Sequence, residues 1–97
     1  MVRVAKMKYF NIYSNTEGAY IVHNTHKEFH EGHTHINNFN TAKYVAYLAL
    51  YKKVPKKGHL SDYLIESIIR LSDNKAYIRR MNQFKNVQHN KKREAIK

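Results

Sequence analysis

Apolar and polar positions alternate with period two in two early runs, "MKYFNIY" at 7–13 and "AYIVH" at 19–23, separated by the polar "SNTEG". Aromatic and β-branched residues in that pattern predict strands, and a polar group ending in Gly18 predicts the loop of an antiparallel hairpin. The alternation assigns Tyr9, Asn11 and Tyr13 to one face and Phe10 and Ile12 to the other, with Tyr20 and Val22 opposite Ile21. A lone hairpin is marginal, so other elements must cover it. From Asn24 to Asn40 the period is lost. That stretch is expected to be a long connection with a short strand at Thr34–Ile36, and long loops in compact domains tend to be functional or disordered.

Beyond it the spacing becomes three and four. "TAKYVAYLALYKKV" predicts a helix with Asn40 or Thr41 as N-cap, ending before Pro55. Val45, Leu48 and Ala49 form its stripe. Tyr44, Tyr47 and Tyr51 flank that stripe at helical spacing and are expected to pack in the core. Ser61 is expected to cap a second helix, "DYLIESIIRLS", whose apolar face is Leu64, Ile65, Ile68 and Leu71, and Asp62 in its first turn suits the macrodipole. Ser72 or Asp73 is expected to cap a third helix carrying Tyr77, Met81 and Phe84. Past Val87 the pattern fades. The expected architecture is α+β, an N-terminal β-hairpin (a small antiparallel sheet) packed on three α-helices, with residues 1–88 as one domain and 89–97 as a basic, frayed or disordered tail.

With 97 residues the chain has room for one small core. It contains no cysteine, which excludes disulfides and thiolate metal sites. No run reaches the ~18 apolar residues of a membrane span, and the charged start "MVRVAKMKYF" does not resemble a signal peptide, so a cytoplasmic protein without a membrane partner is expected.

Charge changes the picture most. Eighteen Lys and Arg against seven Asp and Glu give a net charge of +11, which favours a nucleic acid, a nucleoprotein or an acidic host protein as partner. Lys52, Lys53, Lys56 and Lys57 surround Pro55. A second group is Arg70, Lys75, Arg79 and Arg80, and a third, on the tail, is Lys85, Lys91, Lys92 and Arg93. These cations are the candidate phosphate contacts. A helix-turn-helix reader is not favoured, because "LSDNK" lacks the glycine turn. Tyrosines beside lysines also raise base stacking as an option.

"HKEFHEGHTHI" at 26–36 gathers four histidines and two glutamates within ten positions. His33 and His35 share a face of any extended segment, and His30 completes a possible nitrogen ligand set for zinc. "HEGH" is one residue short of the H-E-x-x-H zincin spacing, however, so its histidines do not align on a helix. A structural or partner-contact role for the cluster is favoured. Neither a catalytic residue, a metal nor a cofactor is expected, and a metal-dependent enzyme is the least favoured class.

The run "GHTHINNFNTAKYVAYLALYKKVP" followed by "HLSDYLIESIIRLSDNKAYIRRM", within roughly residues 27–81, resembles short uncharacterised proteins of phages and prophages of low-GC Gram-positive bacteria. The resemblance implies a protein that acts in a bacterial host by binding its machinery. The expected function is therefore a non-enzymatic phage or mobile-element protein that binds nucleic acid or a nucleic-acid-processing host enzyme. A protein-binding anti-defence inhibitor of the anti-CRISPR kind is the alternative, and a homodimer is compatible with either.

Five of the seven histidines fall between His23 and His35. Histidines kept uncharged by folding bind protons more readily once unfolded, so mild acid then lowers stability. Where folding keeps them uncharged, unfolding midpoints at about pH 5.5 are expected to lie below those at about pH 7.5, and equal midpoints would remove the histidines from the stability account.

Overall fold

The computed structural model describes residues 1–55 and 59–96, with side chains through His89. Four strands precede three helices: β1 Val2–Met7, β2 Phe10–Ser14, β3 Tyr20–Asn24, β4 His33–Ile36, α1 Phe39–Tyr51, α2 Asp62–Leu71 and α3 Lys75–Ile96. The α+β class stands as expected, but the hairpin has grown into a four-stranded antiparallel meander in the order β1-β2-β3-β4.

The run "MKYFNIY" is not one strand. Met7 pairs with Phe10, so Lys8 and Tyr9 form a two-residue turn, with Lys8 at φ 54. Such turns usually place glycine or asparagine at a positive φ, and a lysine there hides the signal. β1 places only Ala5 and Met7 against the core, both half-buried, while its valines stay exposed, so its apolar face is short. As an edge strand it is interrupted by a bulge between Arg3 and Ala5, an irregularity that discourages pairing with a further strand.

The alternation on β2 and β3 is the expected one. Phe10, Ile12 and Val22 are buried against α1 and α2, and Ile36 joins them from β4. From the helices come Ala42, Val45, Ala46, Leu48, Ala49, Ile65, Ile68 and Leu71, and α3 adds Tyr77 and Met81. α1 is capped by Asn38 rather than Asn40 or Thr41, its side chain accepting from the Thr41 amide at 3.0 Å. Ser61 caps α2 as expected. Asn74, not Ser72 or Asp73, accepts from the Tyr77 amide at the start of α3, while Ser72 closes α2.

α3 packs along α2 and is fastened by polar contacts. The Gln88 amide bonds both the N–H and the carbonyl of Leu60, Lys85 meets Glu66 at 2.7 Å and His89 meets Asp62 at 2.8 Å. The hydrogen bond to Glu66 is the main reason the Lys85 ammonium is held above its ordinary pKa. The backbone of α3 stays helical to Ile96, through the segment expected to fray.

The free edge of β4 is closed by side chains from α2. Arg70 donates to the carbonyls of His33 at 2.8 Å and His30 at 2.6 Å, and the Tyr63 hydroxyl donates to the His35 carbonyl. Beneath them Thr34 bonds Ser67 at 2.7 Å, both buried. Asn24 completes this seam. It is fully buried, donates to the Leu71 carbonyl at 2.8 Å and accepts from the His26 amide at 2.9 Å. Replacing it leaves the buried Leu71 carbonyl and the half-buried His26 amide without partners, and each loss of a buried partner costs about 1–3 kcal/mol. Asn24→Ala is expected to destabilise the protein by roughly 2–4 kcal/mol in urea unfolding; a loss below about 0.5 kcal/mol would show that the amide is dispensable.

Candidate nucleic-acid interface

α1 ends because Lys52 turns into the left-handed region, at φ 55 and ψ 45, with a cap N–H bonded back to the Leu48 carbonyl. The chain leaves through Lys53, and α3 reaches across to hold this exit. Arg80 donates to the Lys52 carbonyl at 2.9 Å, and the Tyr77 hydroxyl donates to the Lys53 carbonyl at 2.7 Å. Burial pushes the Tyr77 hydroxyl well above its ordinary pKa, against the nearby Arg80, so it remains a neutral donor. From the sheet side, the β1–β2 turn brings the Lys8 ammonium to 5.1 Å from the centre of the Tyr51 ring.

Lys8, Lys52, Lys53 and Arg80 thus meet from three separate parts of the chain. Lys52, Lys53 and Arg80 were candidates from sequence, whereas Lys8 was not. Lys75 and Arg79 are exposed on the first turns of α3, four positions apart and so on one side of it. Lys56 and Lys57 lie outside the described residues, and Lys91, Lys92 and Arg93 lie on α3 beyond the described side chains. Arg70 does not belong to this group, because its bonds to the carbonyls of His30 and His33 hold it at the β4 edge of the sheet, opposite the β1 edge.

The α1 tyrosines correct the sequence reading. Tyr44, Tyr47 and Tyr51 are 43%, 41% and 45% exposed. The core needed only the Ala, Val and Leu positions of α1, which sit closely against the sheet and α2, and the tyrosine stripe is left facing water. With Lys43 it makes up the exposed side of the helix.

The histidine loop is organised around the seam. Asn24 bonds the Gly32 carbonyl through its own amide, and Lys27 reaches the carbonyls of Arg70 at 2.8 Å and Ser72 at 3.3 Å. A Cβ at Gly32 would stand 2.6 Å from that of Lys27, so the two strands of the loop touch there. Phe29 stacks on His33, with ring centres 4.4 Å apart, and meets His23 edge-on; its carbonyl bonds His33 Nδ1 at 2.5 Å. His30 stands apart with Glu28 and Glu31, the one group among the described residues whose ligand atoms approach closely enough to share an ion, and all three are exposed. His30, His33 and His35 therefore do not converge as a ligand set. An open groove of about 380 Å³ lies between β4 and α2, lined by His33, His35, Tyr63, Glu66 and Arg70.

Most acidic residues lie in segments other than those of the basic surface, whereas Asp73 lies just before α3 and its charge reaches Tyr9 beside Lys8. No acidic residue occurs from Gly32 to Ser61 or from Asn74 to Arg93, the segments that form α1, its exit and most of α3. Asp62, Glu66, Asp73, Glu28 and Glu31 each face a histidine or Lys85 elsewhere. Those acid-free intervals are the sequence signal for this surface. No family model, curated protein or solved structure matches the chain.

The two paired histidines separate by role. His33→Ala removes a stack and a backbone bond and is expected to lower stability by about 1 kcal/mol. His35→Ala, at an exposed position, should cost less than about 0.5 kcal/mol. Denaturant midpoints compare them, and equal losses would contradict the assignment.

Proposed function

We propose that this chain is a non-enzymatic nucleic-acid-binding protein of the small basic kind that phages and mobile elements carry, working in a bacterial cytoplasm on nucleic acid or its processing enzymes. One observation carries the reading: Lys8, Lys52, Lys53 and Arg80 are brought to a single place from a turn, a helix exit and a second helix, and neither α1 nor α3 as far as Arg93 carries a carboxylate. Like charges repel when gathered, so the arrangement suits a polyanion that neutralises them. Lys75 and Arg79 extend the surface along α3.

A non-catalytic role agrees with how the interior polar groups are used. Asn24, Thr34, Ser67 and Ser72 each make hydrogen bonds that hold elements together. No helix among the described residues is long and apolar enough to cross a membrane.

Binding to labelled DNA and RNA across a salt series tests the proposal. Four phosphate contacts predict an affinity falling roughly a hundredfold between about 50 and about 200 mM salt. The double variant Lys52→Glu, Lys53→Glu should weaken binding at least about tenfold and flatten the log–log slope by about two units. A chain that binds neither polymer at low salt would instead fit an inhibitor that recognises protein alone.

A further inference from the structure

The exposed stripe on α1 narrows the kind of nucleic acid. A helix face turned to water is ordinarily lined with charged and polar residues. Here it carries Tyr44, Tyr47, Tyr51 and Lys43, each exposed, on a helix without an acidic side chain. The buried side is satisfied by Ala42, Val45, Ala46, Leu48, Ala49 and Leu50, so the rings are surplus to the core. Spacings of three and four residues put them on one line, about 10 Å from first to last at 1.5 Å per residue. That length spans about three nucleotide steps at about 3.4 Å each.

The charge around the stripe is complementary to such a strand. Lys8 stands over Tyr51, Lys52 follows it at the helix exit, and Lys43 lies beside Phe39 at the other end. The Tyr47 and Tyr51 rings are 5.2 Å apart and tilted by 52°. A base held between two rings needs about 3.5 Å on each side, so these are too close to sandwich one, and a base stacking on Tyr51 takes the place of the Lys8 ammonium, which moves aside to a phosphate. We infer that the Tyr44–Tyr47–Tyr51 stripe is a stacking platform for unpaired bases, and that the ligand is single-stranded nucleic acid whose phosphates lie on Lys8, Lys52, Lys53 and Arg80. A duplex hides its base faces and offers this stripe nothing beyond phosphate. The inference rests on the nucleic-acid reading and specifies its substrate.

Anisotropy titrations of the full chain with a twelve-nucleotide oligo-dT, the matching oligo-rU and a hairpin duplex test it at one low salt concentration. Both sources of unpaired base are covered, and tighter binding of either single strand than of the duplex is expected. Tyrosine emission should be quenched on binding, a direct reading because the chain has no tryptophan. Tyr47→Ala with Tyr51→Ala should weaken single-strand binding about tenfold per ring removed, leaving duplex affinity and the salt slope unchanged. Tyr47→Phe with Tyr51→Phe should restore it, since the face and not the hydroxyl does the stacking, and circular dichroism confirms that both variants fold. Duplex bound as tightly as single strand, or alanine variants that bind single strands normally, would overturn the platform while the phosphate surface survives. A wild-type dimer in sedimentation that the alanine variant loses would overturn it too, by assigning the stripe to a second copy of the chain. Binding of no polymer at all would reject the underlying reading instead.

Discussion

A single buried amide, that of Asn24, ties the sheet to the helices. It sits at the end of β3, where the chain leaves the sheet, and joins the last carbonyl of α2 to the first turn of the histidine loop. Its backbone amide fixes Gly32, and with it the start of β4. An amide withdrawn from water is stabilising only when its groups are met, and here both ends of the side chain are. Register follows from this contact. With β4 placed, Thr34 faces Ser67, and the carbonyls of His33 and His35 fall within reach of Arg70 and Tyr63.

That seam divides the molecule chemically. On its side lie the histidine loop, β4 and α2, with five of the seven acidic residues, and their charges are met locally. The opposite side, α1 and the start of α3, has a surplus of cations and exposed aromatic rings. Arg70 shows the division most clearly. By charge it belongs with Arg79 and Arg80, yet its donors are spent on loop carbonyls, and it acts as a structural clamp.

Much of the helical half was legible. The stripes of α1, α2 and α3 and the Ser61 cap follow from period and capping chemistry, and so does the fold class. What escaped has physical causes. β1 turns only Ala5 and Met7 to the core and leaves its valines exposed, and its turn uses lysine at positive φ, so neither strand nor turn announced itself. Asn24 looked like the start of a polar loop, because burial of an amide is decided by partners 47 residues away. The α1 tyrosines satisfied a periodicity that the smaller side chains beside them had already used. Of the candidate site, Lys52, Lys53 and Arg80 were readable as charge, but their meeting with Lys8 depends on the sheet.

Lys8 and Lys52 are the two non-glycine residues with positive φ among those described. An L-residue held there gives up about 1 kcal/mol that glycine would not. Each stands beside Tyr51, one over its ring and one next to it in sequence. Their Cα–Cβ directions are therefore set by the fold, and the proposed binding of an anion would have only the four-carbon stems left to order. The strained backbone acts as preorganisation: conformational freedom that a looser loop would lose on binding has already been given up on folding.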